Sequence, residues 1–474
     1  MSGLSLLSVE LTVGAWILFM LGLDMLLGRT SRPAVLWSAA LAGVLIASGV
    51  LLVSAPGWTG QTFQGMYLAD GFAAYFKGLF LLTVAIVLVM ARRFHDQFGG
   101  NAGVFYLLMY TALLGMLVLA SAHDLLLLFI GLELLTFSLY IMAAYLKTDP
   151  RAVEAGMKYL ILGSVSSGIF VYGMALLYGA AGSTAFSAIR FMLSEPGAPA
   201  TASIGMLFVL AGLGFKVGAV PFHLWVPDVY EGAPTPVVAL LSAGSKMAGF
   251  VAMMRVLFGA FEPAAALWAP VLAALAAATM LYGNLGALPQ TNIKRLLGYS
   301  SIGHAGYLLM GVAVGGAAGM HAVGFYLLAY LFSNLAVFLA VVETSRAVGG
   351  DALERYDGLA RRAPFLAAAM FVGLLSLAGV PPLAGFAGKL FVFLAAVEGG
   401  LLWLVAVGAV NVAVSLYYYL LVVKRMYLGD PGLGAPIPLG PLSRMTLAFL
   451  FLGILAIGVF QEPFLRHIAL SFSR

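Results

Sequence analysis

The chain has 474 residues and a formal net charge of +5, and 62% of its residues are hydrophobic while only 9% are charged. Apolar stretches of about 20 residues recur along the whole length, which excludes a soluble globular domain and predicts a polytopic helical membrane protein. Cysteine is absent, which excludes thiolate-held iron–sulfur clusters, c-type haem and cysteine zinc sites in this chain.

The sequence predicts an all-α fold with about fourteen membrane-spanning helices, because each apolar stretch supplies the ~20 residues that a helix needs to cross a bilayer. In chain order the predicted spans cover residues 8–28, 34–54, 70–91, 102–120, 123–146, 154–180, 203–225, 236–258, 264–286, 294–315, 318–345, 363–400 (broken), 402–428 and 441–462. The loops between them are short, so no soluble domain is expected.

Basic residues predict the orientation of the chain, because cytoplasmic loops carry an excess of lysine and arginine. The loops after odd-numbered spans contain Arg29, Arg32, Arg92, Arg93, Lys147, Arg151, Lys294, Arg295, Arg346, Arg355, Arg361, Arg362, Lys424, Arg425 and Arg444. The loops after even-numbered spans contain only Arg190 and, near a span end, Arg255. We therefore expect both termini on the outer, periplasmic side of the cell (inner) membrane.

Four lysines lie inside predicted spans, namely Lys158, Lys216, Lys246 and Lys389. A charged side chain at the centre of a bilayer costs roughly 2.5–3.5 kcal/mol on insertion scales, and such residues usually face a wet protein interior. Glu133 lies about ten residues into its span, near the middle of the membrane at ~1.5 Å per residue, and a buried lysine is its expected partner. These ionisable groups predict a proton path. The alternative for Glu133 is a static structural ion pair.

Two predicted helices are broken at proline, and each break lies beside one of the lysines. The first break covers residues 218–223, directly after Lys216, and the second covers residues 378–386, directly before Lys389. Proline removes a backbone donor, and membrane helices tolerate such a break where the freed groups meet water or protein. Paired broken helices are typical of repeat-built transporters. The alternative is a proline kink with a snorkelling lysine.

The order of the helices predicts two inverted five-helix repeats, because the broken helix is the fourth of five in spans 4–8 and again in spans 9–13. Residues 1–120 then hold the N-terminal helices 1–4, of which the fourth opens the first repeat. The first repeat covers residues 102–258 and the second covers residues 264–428. Residues 429–474 hold a C-terminal membrane helix.

The remaining candidate residues have weaker signals. Lys158 lies one turn after Glu154, the spacing of a surface ion pair, so interfacial snorkelling is its alternative. Lys246 lies among small polar residues that leave room for water. His223 and His304 are candidates for proton relay near neutral pH, although hydrogen-bonded packing is the common role of a lone histidine. No histidine and carboxylate set has metal spacing, and the aromatic residues and methionines are expected in packing and interfacial belts.

Several runs of the sequence resemble one antiporter-like membrane subunit of respiratory complex I, which is subunit N of bacterial NADH–quinone oxidoreductase and subunit 2 in mitochondria. The runs are WVPDVYEGAPTP at 225–236 after VPFH at 220–223, GLEL at 131–134, IKRLLGYSS at 293–301 and GVPPLAGF at 379–386. The resemblance covers most of the chain and is weakest before residue 70 and after residue 430. The run DVYEGAP is the most specific of these.

The resemblance implies fourteen helices with two inverted repeats. It implies that Glu133 pairs with Lys216 in a first half-channel and that Lys246 bridges towards Lys389 in a second, and Lys158 also matches a family lysine. As part of an enzyme complex, a translocase, the chain would move protons in response to quinone reduction elsewhere. It would have no redox chemistry and no cofactor of its own, and NADH, flavin, iron–sulfur clusters and quinone would be bound by other subunits.

The partners implied by the resemblance are other complex I membrane subunits, the lipid bilayer and protons, and no nucleic acid. Three other functions stay open at this point. A multisubunit sodium/proton antiporter shares the fold and the lysines, although the run at 225–236 argues against it. A free-standing solute carrier requires a substrate pocket in the bundle. A structural spacer with inert charges is disfavoured by two broken helices that each lie beside a lysine.

Overall fold

The structure is a computed structural model, and it describes residues 3–27, 32–98, 101–430 and 435–473, with residue 32 described in its backbone only. The predicted end of the first span at residue 28, Arg29 and the ends of the predicted terminal regions at residues 1 and 474 lie outside the described residues. The chain forms two compact units. Unit 1 comprises Met1–Val217, Gly232–Ala269 and Ala469–Arg474, and unit 2 comprises Gly218–Glu231 and Pro270–Ile468.

Helices account for nearly all of the described secondary structure. From the start of the chain to residue 260 they are α1 (Gly3–Leu6), α2 (Ser8–Leu26), α3 (Arg32–Ser54), α4 (Gly71–Arg92), α5 (Ala102–Ser121), α6 (Leu125–Ala143), α7 (Pro150–Ala181), α8 (Phe186–Ser194), α9 (Ala200–Val217), α10 (Trp225–Gly232), α11 (Thr235–Leu240) and α12 (Lys246–Arg255). Two π-helical turns, Leu241–Ser245 and Val256–Ala260, continue α11 and α12, and short 3₁₀ turns cover Ala55–Gly57 and His95–Phe98.

The rest of the chain continues this pattern. Its helices are α13 (Ala265–Ala287), α14 (Ile293–Val314), α15 (Gly316–Val348), α16 (Leu359–Arg362), α17 (Pro364–Ala378), α18 (Ala384–Glu398), α19 (Leu402–Leu428), α20 (Pro441–Val459) and α21 (Gln461–Phe472), with 3₁₀ turns at Glu262–Ala264 and Leu353–Tyr356. One small antiparallel hairpin, β1 (Gly60–Thr62) with β2 (Tyr67–Ala69), connects α3 to α4. The sequence analysis did not predict this hairpin.

Polar residues define where the helices begin, as the local chemistry requires. Asp70 accepts a hydrogen bond from the backbone N–H of Ala73 at 2.7 Å and so caps α4, and Asp124 accepts from the N–H of Leu126 at 2.7 Å at the start of α6. Such side chains satisfy backbone donors that have no partner within the helix. The capped helices then carry apolar side chains on most of their surface.

Twelve helices among the described residues are long and apolar enough to cross a membrane, which agrees with the predicted all-α polytopic fold. The other two predicted spans are not among these twelve helices. The span 294–315 corresponds to α14, a helix of 22 residues with Lys294 and Arg295 in its first turn. The span 363–400 corresponds to α17 and α18, of 15 residues each. The count of fourteen and the division into repeats stay predictions.

Both predicted breaks are interruptions of helical structure. α9 ends at Val217 and residues 218–224 form turns before α10 begins, so the predicted span 203–225 is interrupted at the predicted position. Gly218 takes a left-handed conformation with φ +75° there, which stops the helix. α17 ends at Ala378, Gly379 has φ +92°, and α18 begins only at Ala384.

Candidate functional site

Lys216 lies in the last turn of α9, directly before the first break, and it is buried. Its Nζ donates a hydrogen bond to Thr136 Oγ1 at 2.8 Å. Thr136 belongs to α6, and its hydroxyl donates in turn to the carbonyl of Leu132 at 2.5 Å. The amine is therefore held by a neutral hydroxyl that has its own fixed partner.

Glu133 shares a pocket with Lys216. The pocket has an open mouth and a cavity volume of about 20 Å³. Its walls come from α6, α7 and α9, namely Phe129, Leu132, Glu133, Thr136, Tyr140, Gly163, Ser166, Ser167, Phe170, Gly212, Phe215 and Lys216. Glu133 Oε1 accepts a hydrogen bond from Ser167 Oγ at 2.6 Å. The space is large enough for water, so an acid, a base and several hydroxyls line one wettable site.

The structure brings Glu133 and Lys216 into one pocket but not into a direct ion pair. None of the ion pairs in the described part of the chain joins them, since Lys216 is turned towards Thr136 and Glu133 towards Ser167. The pairing that the resemblance implies stays a prediction.

Lys158 lies on the outward face of α7. Its Nζ is 2.7 Å from Glu154 Oε1, and the two side chains are 44% and 64% exposed. The predicted spacing of a surface ion pair is thus seen, and Lys158 is not among the residues that line the pocket. Its contribution to a proton path stays a prediction.

Lys246 is buried at the first position of α12, where the π-helical turn Leu241–Ser245 gives way to regular α-helix. π-Helical turns are frequent at functional sites. One turn later, a Cβ atom on Gly249 would lie 3.1 Å from Lys216 Cγ and 2.9 Å from Val217 Cγ1. The missing side chain at position 249 therefore lets Lys216 pack against the helix that carries Lys246.

Lys389 on α18 is buried beside the second break in unit 2. Its Nζ donates to the carbonyl oxygens of Leu377 at 3.0 Å and Ala378 at 2.9 Å, the last two residues of α17. It also lies 4.8 Å from the centre of the Tyr307 ring. Carbonyls at a helix C-terminus lack helical partners and carry partial negative charge. The break thus supplies the electronegative partner of this lysine.

His304 on α14 contacts tyrosine hydroxyls through both ring nitrogens. Nδ1 is 2.7 Å from Tyr326 Oη, and Nε2 is 3.1 Å from Tyr419 Oη. Tyr419 also forms a hydrogen bond with Ser300. A histidine between two hydroxyl groups can receive a proton on one side and release it on the other. Both tyrosines are buried, as the predicted packing role requires, and they form these hydrogen bonds in addition.

His223 lies in the first break, within unit 2, and is buried. Its ring lies edge-on to Tyr282, with 4.1 Å between ring centres. The following helix α10 is held by Arg295, whose Nη1 contacts Asp228 Oδ1 at 2.7 Å and Glu231 Oε2 at 2.9 Å. The acidic residues of the DVYEG run thus fix the segment that carries His223.

Lys77 is a fifth lysine inside a membrane helix, and the sequence analysis missed it. It lies in α4 within the predicted span 70–91 and is fully buried against Glu10. The same signal that identified the other four lysines, a basic residue in a long apolar run, was present at this position. Among the described residues, no group of three or more histidines and carboxylates is placed to hold a metal ion.

A polytopic helical bundle with buried lysines at two helix breaks defines a membrane transport protein of the antiporter-like class. The NADH:quinone oxidoreductase/Mrp antiporter transmembrane family matches residues 122–415. The chain is also 42% identical over 477 residues to NADH-quinone oxidoreductase subunit N of Moorella thermoacetica, with 98% of each chain covered. The chain therefore belongs to the NADH:quinone oxidoreductase/Mrp antiporter transmembrane family.

Solved structures have the same fold. A chain of respiratory complex I from Thermus thermophilus is similar with a TM-score of 0.83 and 34% identity, covering 97% of this chain and 98% of that one. A chain of the Mrp complex from Dietzia sp. is similar in fold, with a TM-score of 0.87 and 22% identity, covering 99% of this chain and 97% of that one.

Proposed function

We propose that this chain is a proton-translocating membrane subunit of a complex I-type NADH–quinone oxidoreductase. The observation that carries the proposal is the pocket in which Lys216, at a helix break, lies with Glu133 and several hydroxyls. The near full-length similarity to a subunit N supports the same assignment. The chain acts as part of an enzyme complex whose other membrane subunits are its partners.

In the proposed mechanism, Lys216 is the proton carrier of unit 1. In its neutral form, the Nζ lone pair accepts a proton that enters through the pocket, and an N–H bond forms. The carboxylate of Glu133 and the hydroxyl of Thr136 stabilise the resulting ammonium. When Glu133 becomes neutral or moves away, that stabilisation is lost and the proton leaves for the next carrier. Lys246 takes this role, since it lies one helical turn from the residue on which Lys216 packs.

Unit 2 carries the second half of the path in this proposal. Lys389 accepts a proton while the carbonyls of Leu377 and Ala378 stabilise its charge. His304, between two tyrosine hydroxyls, relays protons within the same unit, and His223 and Lys158 are accessory groups. Each transfer breaks one N–H or O–H bond and forms another, so no redox step occurs in this chain.

The energy for transport comes from quinone reduction on other subunits, which hold NADH, flavin, iron–sulfur clusters and quinone. Moving one charge through the membrane potential is worth about 2.3 kcal/mol per 100 mV, so an ungated path would dissipate that potential. The chain is multi-pass in the cell inner membrane with both termini on the outer side, as the distribution of basic residues predicts.

A subunit of a sodium/proton antiporter is the second candidate function, because the matching family includes Mrp antiporters. The two functions differ in their dependence on electron transfer. In a complex I-type enzyme, quinone reduction and proton uptake stop together when the carrier is removed. In an antiporter, sodium efflux continues under an imposed pH gradient with no electron donor present.

The deciding experiment is Lys216→Ala in the intact complex, tested in inverted membrane vesicles. We expect the complex to assemble, as seen by native electrophoresis, and to lose NADH-driven proton uptake together with coupled quinone reduction. Lys147→Ala, in an exposed loop, is the matched control and should pump normally. Normal proton uptake by assembled Lys216→Ala would show that this lysine is not a carrier and that the proposed function is wrong.

A further inference from the structure

A second group of buried charges lies outside the residues of the predicted proton path. Glu10, Tyr67 and Lys77, here called the N-terminal charge cluster, belong to α2, β2 and α4 of unit 1. Lys77 is fully buried and Glu10 is 6% exposed, and the distance from Nζ to Oε1 is 2.7 Å. Lys77 Nζ also donates to Tyr67 Oη at 2.7 Å, and Tyr67 Oη donates to the carbonyl of Leu6 at 3.3 Å.

The ion pair of Arg255 and Asp70, also in unit 1, is an example of a purely structural ion pair in this protein. Arg255 Nη1 and Nη2 contact the two carboxylate oxygens of Asp70 at 2.7 and 2.6 Å. Arg255 Nε donates to the carbonyl of Ala120 at 2.8 Å, and Asp70 also caps α4 through the N–H of Ala73. Arginine does not release its proton under ordinary conditions. This pair therefore provides fixed, fully partnered charge.

In the N-terminal charge cluster, by contrast, not every buried polar atom is hydrogen-bonded. Glu10 Oε1 lies 2.7 Å from Lys77 Nζ, but both carboxylate oxygens of Glu10 are buried and neither accepts a hydrogen bond of regular geometry among the described residues. The buried hydroxyl of Ser121 lies beside Tyr67, since Ser121 precedes Ala122, which forms a β-bridge with Tyr67. Buried ion pairs that only stabilise a fold normally have their remaining polar atoms satisfied. The open acceptor on Glu10 is a position for a proton or for a water molecule that delivers one.

The N-terminal charge cluster also differs from the Arg255–Asp70 ion pair in the chemistry of its side chains. A carboxylate and an amine both exchange protons, and a tyrosine hydroxyl both donates and accepts a hydrogen bond. Tyr67 directs the Lys77 amine by accepting one of its hydrogen bonds, and the Trp58 ring lies 4.5 Å from Nζ on another side. The amine is thus held 2.7 Å from Glu10 Oε1.

The cluster lies close to the ends of its helices. Glu10 is the third residue of α2 and Lys77 the seventh of α4, which places Lys77 only ~9 Å along its helix. Tyr67 belongs to the hairpin that connects α3 to α4. A proton on this cluster therefore has a short distance to travel to the end of the bundle.

We propose that Glu10 and Lys77 form an additional proton-binding site that loads and releases a proton during transport, an inference that rests on the proposed function. In the resting pair the proton is on Nζ and the carboxylate is ionised. A proton that arrives at Oε2 forms an O–H bond and leaves Lys77 as the single charge. An N–H bond of Lys77 then breaks as the amine gives its proton to a water molecule, and transfer of the Glu10 proton to the neutral amine restores the pair. Tyr67 is a positioning residue in this site.

The first test removes both charges together. Glu10→Gln/Lys77→Met keeps the side-chain volumes, and replacing both members of a buried ion pair is often tolerated by the fold. We expect the complex to assemble and NADH-driven proton uptake to fall about tenfold or more, because positioned proton-transfer groups typically contribute 10²–10⁴-fold. The control is Arg190→Gln/Glu262→Gln, a half-exposed pair 2.8 Å apart, which should retain normal proton uptake.

A second variant separates proton release from structure. Lys77→Arg keeps a cation beside Glu10 but releases no proton, so it should assemble and pump as poorly as the double variant. Normal proton uptake by either assembled variant overturns the inference, and failure of both to assemble overturns it too, since the pair is then a structural element. Lys216→Ala is measured in parallel. If Lys216→Ala abolishes pumping while the variants of Glu10 and Lys77 pump normally, only this inference fails. If Lys216→Ala itself pumps normally, the proposed function fails.

Discussion

Replacing Thr136 by valine should slow proton transport strongly while leaving the fold intact. Thr136 Oγ1 is the hydrogen-bond acceptor that holds Lys216 Nζ, at 2.8 Å, inside the pocket shared with Glu133. Valine has nearly the same shape as threonine, so Thr136→Val removes the hydroxyl without opening a cavity. The amine then loses its acceptor in a buried site where water replaces it only through the pocket.

The size of the effect follows from the kind of hydrogen bond that is lost. A hydrogen bond to a charged group contributes about 1.5–3 kcal/mol, roughly twice the value for neutral partners. At about 1.4 kcal/mol per factor of ten, the protonated, correctly placed lysine becomes about 10- to 150-fold less populated. If proton transfer through Lys216 limits turnover, NADH-driven proton uptake falls by a factor in this range.

The assay is proton uptake by inverted membrane vesicles, followed with a pH-sensitive dye and normalised to the amount of assembled complex on native gels. Thr136→Ser is the matched control, because it keeps the hydroxyl, and it should retain most of the activity. If Thr136→Val pumps as well as the serine variant and the wild type, the hydroxyl does not position Lys216 during transport. The order of events proposed for unit 1 would then be wrong.

Three further outcomes are expected. Tyr326→Phe and Tyr419→Phe each remove one hydroxyl that contacts His304, a loss of about 0.5–1.5 kcal/mol per neutral hydrogen bond, so each should reduce proton uptake several-fold. Unchanged proton uptake in the double variant would exclude a proton relay through His304. Lys389→Arg keeps the charge but releases no proton, so it should stall proton uptake as strongly as Lys389→Ala, and normal uptake would leave this lysine a fixed charge only. In intact cells, a cysteine at Glu354 should be shielded from an impermeant thiol reagent while one at Ser473 reacts, and the reverse labelling would invert the predicted topology.

The sequence predicts the architecture well because a bilayer restricts the possible structures. A helix must satisfy its own backbone in lipid and must be about 20 residues long, so apolar length alone locates most spans. The positions of Lys216 and Lys389 beside helix breaks were also predictable, since proline and glycine interrupt helices for local reasons. The end of α9 at Val217 agrees with this prediction, since the predicted break begins at Gly218, which takes φ +75° there.

The partners of the charged groups could not be predicted, because they depend on which helix faces meet. Thr136 lies 80 residues from Lys216 in the sequence, and nothing in the apolar run around it indicates that its hydroxyl faces α9. The same is true of Tyr326 and Tyr419 beside His304. Lys77 is a different case, since its position was visible in the sequence. The sequence did not indicate that Lys77 contacts Glu10, which lies 67 residues earlier.

The two helix breaks hold their lysines by chemically different means, and the difference constrains how each lysine can release a proton. Lys216 is held by side chains, and a side chain can rotate or, in the case of Glu133, take up a proton and lose its charge. Lys389 is held by the carbonyls of Leu377 and Ala378, which keep their partial charge at every stage. Proton release from Lys389 therefore requires its amine to move away from the end of α17, or that helix end to move away from it. Unit 1 can be controlled by a change of charge alone, whereas unit 2 requires a displacement of atoms.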